Sequence, residues 1–378
     1  MKYDLIATST FGLEAVVKRE VENLGGEIVK VDNGRIDFRG EKSLIAKGNL
    51  WLRVADRLLL KMGEFRAESF ESLFNQTFDL PWEEWIPQDG NFLVQGKSIK
   101  STLYSVRDCQ SIVEKAIVKK LQTKYDVDWF KKSGPRYKIQ VAILKDQVTL
   151  TLDTSGDGLH KRGYRETAVD APIKETLAAA MIELSYWNKT KMLIDPFCGS
   201  GTIPIEAAMI GKNIAPGLNR KFDSEYWDVI SKDIWKKARI EALKAIDQEV
   251  ELRIFAYDKE KRAIKIAEEN AINAGVDDCI EFAEKTFGEM KMKEDYGVII
   301  TNPPYGERLS DTLEVKKIYE FMGKVLKPID TWSKYIVTSY ENFEIAYGEK
   351  ASKKRKLFNG TLKVDYYQYF GKRPPKKK

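Results

Sequence analysis

The feature that most constrains the fold is a regular alternation of strand-like and helix-like segments from about residue 171 onward. Apolar runs such as KMLIDPF, LRIFAYD and YGVIITN alternate with amphipathic segments such as KEKRAIKIAEENAINAG, which ends in a glycine. This alternation is typical of a doubly wound α/β sheet, in which helices cover both faces of parallel strands. The run KLFNGTLKVDYYQYF follows, and its Asn-Gly pair predicts an antiparallel hairpin at the sheet edge.

The first part of the chain predicts two smaller α+β units. In residues 1–65, the strand-like run YDLIATS is followed by an amphipathic helix, a hairpin with Asn-Gly at its turn, and a further helix and strand. Residues 66–155 contain two segments of helical periodicity and three strand-like runs. We therefore expect three successive units along the chain.

Composition excludes several classes of function. No apolar run approaches the ~20 residues that span a bilayer, and the N-terminus has no signal-peptide pattern. The three cysteines (Cys109, Cys198 and Cys279) are widely spaced, which favours a reducing cytoplasm over a zinc site. Because His160 is the single histidine, a His-rich metal site is excluded and a Ser-His-Asp triad is disfavoured. We expect a cytoplasmic protein without a metal, whose chemistry uses carboxylates, amides, aromatic rings or a cofactor.

Positive charge is concentrated in two places. The chain carries a formal charge of +6, while residues 91–170 carry +6 and residues 351–378 carry +9 by themselves. Local surpluses of this kind indicate a polyanionic partner, although a Lys-rich tail can also be merely solvated. The candidate nucleic-acid-binding residues are Lys97, Lys100, Lys131, Lys132, Arg136, Arg162 and Arg165. For Arg162 and Arg165, in the stretch HKRGYR, a cofactor contact or a structural role at a domain junction is an open alternative.

Two acidic strand ends predict a ligand site. Asp195 closes one strand and opens the loop DPFCGSGT, whose glycines permit close approach of backbone to a ligand. Pro204 stands where the third glycine of a dinucleotide fingerprint would be, and the acid at Asp195 would repel a pyrophosphate. Asp258 closes the next strand, where a carboxylate suits ribose hydroxyls, or alternatively the N-cap of the following helix.

The stretch TNPPYG follows the apolar run YGVII at a third strand end. Two prolines fix the backbone where it leaves the sheet. The side-chain carbonyl of Asn302 and the backbone carbonyl of Pro303 can together accept both hydrogens of an exocyclic amine and so orient its nitrogen lone pair. Tyr305 can stack on the base that carries this amine.

These motifs together resemble those of class I S-adenosylmethionine-dependent amino-methyltransferases. The stretches SGDGLHKRGYRETAVDAPIKETLAAAMIELSYW and IAPGLNRKF narrow the resemblance to the THUMP-domain RNA methyltransferases, specifically the bacterial 23S ribosomal RNA (guanine-N2) type with a single catalytic domain. The resemblance covers nearly the whole chain. It implies a ferredoxin-like domain at 1–65, a THUMP RNA-binding domain at 66–165, and a Rossmann-like methyltransferase domain with a basic tail at 166–378.

The resemblance also implies roles for individual residues. S-adenosylmethionine, with S-adenosylhomocysteine as product, would contact residues of the glycine loop, the preceding helix and two further strand ends: Thr176, Asp195, Phe197, Cys198, Gly199, Gly201, Thr202, Asp258, Thr286 and Asn302. Asn302, Pro303 and Tyr305 would hold the target base. Thr286 stands where many relatives carry an acid that meets the adenine, so a backbone amide or Glu284 is an alternative contact.

The sequence leaves the substrate open. Guanine N2 of 23S ribosomal RNA is the first interpretation, with guanine N2 of tRNA and adenine N6 of DNA or RNA as alternatives, because the Asn-Pro-Pro-Tyr motif serves any exocyclic amine. A non-catalytic RNA-binding or assembly factor and a dinucleotide oxidoreductase are the remaining hypotheses. The oligomeric state cannot be read from the sequence.

Overall fold

The computed structural model describes residues 1–165, 172–292, 294–305 and 309–375, with residues 309–312 described by their backbone alone. The chain divides into two compact units, and each unit is built from separated stretches of sequence. The first unit comprises Met1–Ser9, Val17–Leu159 and Arg220–Glu241. The second unit comprises Thr10–Val16, His160–Asn219 and Ala242–Lys378.

The first unit is organised around one mixed sheet. Its strands are β1 (Tyr3–Thr8), β2 (Glu27–Asp32), β3 (Arg35–Gly40), β4 (Arg57–Arg66), β5 (Asn91–Ile99), β6 (Arg136–Leu144) and β7 (Gln147–Asp153). The helices between them are α1 (Glu14–Asn23), which begins in the second unit, α2 (Lys42–Trp51), α3 (Phe70–Phe78) and α4 (Val106–Tyr125). The strand order is β2-β3-β1-β4-β7-β6-β5, and the single parallel pair is β5 with β6 among the described strands.

Strand β4 joins the two predicted N-terminal pieces. It pairs with β1 on one side and with β7 on the other, so it runs across the boundary predicted at residues 65 and 66. Its first half, which includes Leu58, Leu59 and Leu60, is buried. The ferredoxin-like and THUMP segments therefore share one continuous sheet and one core.

The second unit contains the predicted α/β sheet. Its strands are β8 (Leu193–Asp195), β9 (Ile254–Asp258), β10 (Ile280–Glu284), β11 (Val298–Thr301), β12 (Ser333–Thr338), β13 (Lys353–Asn359) and β14 (Leu362–Tyr369). Its helices are α5 (Glu175–Glu183), α6 (Thr202–Gly211), α8 (Lys261–Ala274), α9 (Leu309–Leu326) and α10 (Phe343–Tyr347). Helix α7 (Lys232–Lys244) belongs to the first unit up to Glu241 and ends in the second. Short 3-10 helices lie at Trp82–Glu84 and Asp223–Tyr226, and at Asp277–Cys279 and Phe287–Glu289.

The sheet order in this unit is β10-β9-β8-β11-β12-β14-β13. The first five strands are parallel, and β14 pairs antiparallel with both β12 and β13. Strands β8, β11 and β12 are buried along their whole length, as expected for central strands covered on both faces. The predicted Rossmann-like sheet with its antiparallel C-terminal hairpin is confirmed.

The stretch 220–241, which lies between α6 and β9, belongs to the first unit. Its Trp227 stacks on Tyr137 of β6 with ring centroids 4.7 Å apart, and its indole N–H donates to the Arg136 carbonyl at 2.9 Å. Asp223 accepts two hydrogen bonds from the Arg136 guanidinium, at 2.8 and 2.9 Å. The compact units are thus interleaved in sequence, and the domain boundaries at residues 65 and 165 stay predictions. No helix of the described residues is long and apolar enough to cross a membrane.

Candidate active site

Three polar residues meet at the carboxyl edge of the parallel sheet in the second unit. Strand β8 ends at Asp195, β9 ends at Asp258, and β11 ends at Thr301, directly before Asn302. These strands are neighbours in the order β9-β8-β11, with Asp195 opposite Ala256 and Leu193 opposite Val298. The edge formed by the carboxyl ends of parallel strands is where α/β sheets bind ligands.

Asp195 carries the least satisfied polar group of this edge. Its side chain is fully buried, and its Oδ1 accepts the Thr301 hydroxyl at 2.7 Å and the Phe197 N–H at 3.2 Å. Its Oδ2 is buried without a hydrogen-bond partner among the described residues. Burial raises the pKa of this carboxyl to about 7, although its hydrogen bonds from Thr301 and Phe197 lower the pKa. A cationic hydrogen-bond donor at Oδ2 would supply what this group lacks.

The loop after Asp195 is fixed by its glycines and by two neighbours. Gly199 and Gly201 have φ angles of 51° and 83°, a left-handed conformation that disfavours other residues. A Cβ on Gly201 would also lie 3.0 Å from the Cβ of Ala267 on α8. From the same helix, the Asn270 amide donates to the Ser200 carbonyl at 3.0 Å. The loop therefore presents backbone instead of side chains at the sheet edge.

Asp258 ties the second strand end to this loop. Its Oδ2 accepts the Gly199 N–H at 3.0 Å and its Oδ1 accepts the Glu260 N–H at 3.0 Å. The residue at the N-cap of α8 is Glu260, so the N-cap role predicted as an alternative for Asp258 is wrong. Each carboxylate oxygen keeps a further lone pair, so Asp258 can still accept hydroxyl groups.

The other predicted cofactor residues differ in accessibility. Thr176, Cys198 and Thr202 are buried, with exposures of 3%, 6% and 3%. Phe197 is half-buried and stacks on Phe287, which follows β10, with ring centroids 5.6 Å apart.

Thr286, which was predicted to contact the adenine, uses its side chain in a local turn. Its exposed side-chain hydroxyl donates to Glu289 at 2.7 Å, within the turn that the two residues form. Its neighbour Phe287 was missed as a candidate, and the signal for it was an aromatic residue at the end of a strand on the ligand edge.

The loop after β11 is closed on itself. The Tyr305 hydroxyl donates to the side-chain oxygen of Asn302, and Pro303 is buried. The oxygen that was predicted to receive a substrate amine therefore already accepts one hydrogen bond from its own motif and keeps one further lone pair. Gly306, the last residue of the TNPPYG stretch, lies outside the described residues.

The hydroxyl groups of two buried residues, Tyr319 and Thr338, form a hydrogen-bonded chain that ends on the same loop. Tyr319 of α9 is fully buried and donates its hydroxyl hydrogen to the Pro304 carbonyl at 2.7 Å. Since that hydrogen is engaged, the 2.8 Å contact between Tyr319 and Thr338 has the threonine as donor. The Thr338 oxygen in turn accepts the Tyr340 N–H at 3.0 Å. Together with the Thr301–Asp195 bond, these contacts hold the backbone on both sides of Asn302 and Pro303.

Two arginines predicted to bind RNA lie inside the second unit. Arg162 is 2% exposed and bonds to Glu206 of α6 at 3.2 and 3.3 Å, and the Tyr164 hydroxyl donates to the same carboxylate. Arg165 donates to the Thr202 hydroxyl and to the Ile173 carbonyl. Its guanidinium also lies 3.4 Å from Glu175 of α5.

The placement of these two arginines does not favour direct RNA contact. Arg162 is buried against Glu206 of α6, and the partly buried Arg165 contacts α5 and α6 through its terminal nitrogens. The Nε of Arg165 is buried without a hydrogen-bond partner among the described residues. These contacts favour the structural role that was left open for the two arginines. The next residues of the stretch, 166–171, lie outside the described residues.

The remaining basic candidates belong to the first unit. Lys97, Lys100 and Lys131 are exposed. Lys132 pairs with Glu114 at 2.8 Å and lies over the Phe92 ring at 4.2 Å, and Arg136 pairs with Asp223. Within the described residues, no group of histidine, cysteine or acidic side chains is arranged to hold a metal ion.

Three sequence families match successive parts of the chain. Residues 162–368 match the family described as "RMKL-like, methyltransferase domain", which is more than half of the chain. Residues 4–59 match the RlmL ferredoxin-like domain, and residues 67–153 match the THUMP domain.

Several relatives match the chain over nearly its whole length. The chain is 53% identical over 380 residues to "Putative RNA methyltransferase YpsC" of Bacillus subtilis strain 168, covering 100% of this chain and 98% of the relative. Among solved structures, it is 51% identical to a "predicted N6-adenine-specific DNA methylase" from Listeria monocytogenes, with a TM-score of 0.94 over 98% of this chain and 97% of that one. It is 45% identical to SMU.472, a "putative methyltransferase complexed with SAH", with a TM-score of 0.93 over 99% of both chains. The chain therefore belongs to the THUMP-domain class I RNA methyltransferases.

Proposed function

We propose that this protein transfers a methyl group from S-adenosylmethionine to the exocyclic N2 amine of a guanine in 23S ribosomal RNA. The observation that carries the proposal is the meeting of Asp195, Asp258 and Asn302 at one sheet edge, on three neighbouring parallel strands. Methylation of RNA at the expense of S-adenosylmethionine is the activity of the family. The particular base and RNA are the proposed part.

The residues of the sheet edge fit the cofactor. The unpartnered Oδ2 of Asp195 suits the ammonium of the methionine part, and Asp258 suits the ribose hydroxyls. Gly199 and Gly201 have left-handed φ angles and no side chains, which allows a ligand to approach the backbone of this loop. S-adenosylmethionine, when bound, supplies an electrophilic methyl group on a sulfonium. The relative SMU.472, in complex with S-adenosylhomocysteine, is consistent with this assignment.

The loop after β11 positions the acceptor. The side-chain oxygen of Asn302 and the carbonyl of Pro303 each accept one N–H of the target amine, which turns the nitrogen lone pair toward the methyl group. Asn302 also stabilises the N–H that becomes more acidic as the lone pair is shared. Tyr305 leaves its contact with Asn302 and stacks on the base. Orientation is the main contribution, because the described part of this edge carries no histidine that could act as a base.

Guanine in ribosomal RNA is favoured over adenine in DNA by the accessory domains. The THUMP domain and the exposed lysines of the first unit suit a structured polyanion, and the Bacillus relative carries the name of an RNA methyltransferase. The description of the Listeria relative favours adenine and DNA for that protein. Both chemistries need the same pair of carbonyl acceptors.

The experiment is methyl transfer from labelled S-adenosylmethionine to unmodified ribosomal RNA, unmodified tRNA and duplex DNA. The products are then digested and the methylated nucleoside is identified by mass spectrometry. We expect N2-methylguanosine from ribosomal RNA. Transfer to tRNA alone would move the proposal to the alternative RNA, and N6-methyladenosine would overturn the choice of base. The Asn302→Ala variant is the negative control.

A further inference from the structure

The C-terminal hairpin extends from the same sheet edge that carries the site. Thr338, the last residue of β12, lies opposite Asp365 of β14, which lies opposite Lys356 of β13. Residues 357–364 therefore continue past the end of β12, beyond the carboxyl edge. Since neighbouring strands lie about 4.8 Å apart, the order β11-β12-β14-β13 places this tip roughly 10–15 Å to the side of the end of β11.

The hairpin is strongly basic and its charges are partly unpaired. Residues 350–375 contain eight lysines and arginines and a single acid, Asp365. Lys354 neutralises that acid at 3.0 Å. Lys356 and Lys363 form no ion pair within the described residues. In the strand register, Lys356 and Phe358 lie two residues apart on one face, and Lys363 lies directly opposite Phe358.

An exposed aromatic ring is held against this face. Phe11 is 57% exposed, and its ring lies 6.3 Å from that of Phe358 in an edge-on arrangement. The adjacent Gly12 has a φ of +89°, and a Cβ there would lie 3.0 Å from the Lys356 carbonyl. The backbone at Gly12 therefore lies close to β13, where a side chain would be strained. This contact places Phe11 beside the hairpin. We call Phe11, Lys356, Phe358 and Lys363 the hairpin-tip surface.

We propose that the hairpin-tip surface binds unpaired RNA nucleotides adjacent to the target nucleotide. Phe11 and Phe358 stack on a neighbouring base, and Lys356 and Lys363 contact the flanking phosphates. A base that is withdrawn from its helix leaves its neighbours unstacked, and aromatic side chains combined with cations are the usual partners of such nucleotides. The proposal rests on the proposed function, because it takes RNA as the substrate of the neighbouring site.

Protection of an edge strand is the competing explanation for the lysines. Lysines on an edge strand discourage pairing with other sheets, and β13 is an edge strand of its sheet. This explanation does not account for Phe11, since an exposed phenylalanine beside the edge promotes association. The two explanations also make opposite predictions for RNA binding.

The test measures binding of the full-length protein to a fluorescently labelled single-stranded 12-nucleotide RNA by anisotropy, over a range of salt concentrations. We expect Phe11→Ala to weaken binding about 5- to 100-fold, as loss of a stacked base does, and Phe11→Trp to restore it. The Lys356→Ala/Lys363→Ala variant should reduce the slope of log Kd against log salt by about 0.7 for each phosphate that the protein no longer neutralises. Matched controls are Ile345→Ala, an apolar residue that is 79% exposed, and the exposed Lys324→Ala.

Binding that is unchanged in Phe11→Ala, or weakened equally in the controls, would overturn the proposal. The same would follow if the lysine variant associated into larger species while binding RNA normally. Methyl transfer by the unmodified protein is measured in parallel on ribosomal RNA. If the unmodified protein transfers no methyl group, the proposed function fails, whereas the anisotropy series still decides on the hairpin-tip surface. In an active protein, we also expect Phe11→Ala to raise KM for RNA without changing KM for S-adenosylmethionine.

Discussion

The two loops that form the candidate site differ in how ready they are for a ligand. The loop after β8 holds a buried carboxylate oxygen of Asp195 without a partner among the described residues, and two of its glycines have left-handed φ angles. In the loop after β11, the side-chain oxygen of Asn302 already accepts a hydrogen bond from the Tyr305 hydroxyl. Under the proposed function, the acceptor on the cofactor side lacks a partner before the ligand binds, whereas the acceptor on the base side has an internal partner that the substrate would replace.

This difference agrees with the chemistry of the two ligands. A cationic donor can satisfy the buried carboxylate of Asp195, so its unpartnered oxygen favours binding of a cationic group. A neutral amine gains little from one free acceptor, and its reactivity depends on geometry. The hydroxyl chain through Tyr319 and Thr338 keeps that geometry even while Tyr305 moves. Four substitutions separate these roles, and their expected effects decrease in the order given.

Asn302→Ala should have the largest effect and should act on the base side alone. We expect turnover to fall about 10²–10³-fold, the size seen when one positioned hydrogen-bonding group is removed from an active site. Affinity for S-adenosylhomocysteine, measured by calorimetry, should stay within about twofold of the unmodified value. A variant that keeps its turnover would remove Asn302 from the proposed mechanism.

Asp195→Asn should act on the cofactor side. We expect affinity for S-adenosylmethionine to fall about 10- to 100-fold, since a charged hydrogen bond becomes a neutral one. In the unmodified protein, affinity should weaken as the pH falls below about 7, because the buried carboxyl then takes up a proton. An affinity independent of pH between 6 and 8 would contradict this role for Asp195.

The same substitution should raise the stability of the ligand-free protein at high pH. The pKa of Asp195 in the folded state is raised from 3.8 to about 7 by burial, so its contribution to stability is present below 3.8 and is lost as the pH rises through about 7. Asparagine removes that loss. We expect the free energy of unfolding at pH 8 to rise by roughly 1–4 kcal/mol, with little change at pH 4. Urea denaturation at the two pH values measures this, and equal effects at both would be inconsistent with a buried charge.

Tyr319→Phe should have a smaller effect on catalysis. Loss of its hydroxyl releases the Pro304 carbonyl, and we expect kcat to fall about 10-fold while KM for S-adenosylmethionine is unchanged. The matched control is Tyr366→Phe, another buried tyrosine that donates to a backbone carbonyl, that of Met181, at 2.7 Å. Both variants should lose stability, by about 1–3 kcal/mol, because each leaves a backbone carbonyl without its tyrosine donor, and Tyr319→Phe also leaves the Thr338 hydroxyl without its acceptor. An equal fall of kcat in both would reduce Tyr319 to a purely structural residue.

Tyr305→Phe should have the smallest effect and an opposite sign. The ring that is proposed to stack on the base is kept, but the hydroxyl that donates to Asn302 is removed. We expect KM for RNA to fall about 2- to 5-fold, because a hydrogen bond of modest net strength no longer has to be broken first. Tyr305→Ala, which loses the ring, should raise KM instead. A rise of KM in Tyr305→Phe would show that the closed contact assists binding.

Local patterns explain what the sequence could predict. The strands of the second unit, the glycine turns and the positions of Asp195, Asp258 and Asn302 follow from periodicity and turn chemistry within a few residues. The ion pairs of the buried Arg162 and the partly buried Arg165 could not be predicted in this way. A cation has the same appearance in a sequence whether it faces water or a carboxylate, and Glu206 and Glu175 reach these arginines only through the fold.

Contacts between residues that are distant in the chain could not be predicted from local sequence patterns either. Tyr319 lies in α9, Thr338 ends β12 and Pro304 lies in the loop after β11, and no local pattern at Tyr319 or Thr338 indicates a contact with that loop. Strand β4 had a clear strand pattern, but its pairing with both β1 and β7 merged two predicted units into one sheet. Sequence periodicity identifies elements, whereas partner choice depends on the assembled core.

The interleaving of the two compact units has a practical consequence for dissection of the protein. Residues 10–16 belong to the second unit although they lie near the N-terminus, and residues 220–241 belong to the first unit although they follow α6. No single truncation can therefore deliver either unit with all of its own segments. A fragment that begins near residue 166 would lack Phe11 and would expose Trp227, which packs on Tyr137 in the whole chain. Loss of activity in such a fragment would report on missing pieces of the fold and not on the need for an RNA-binding domain.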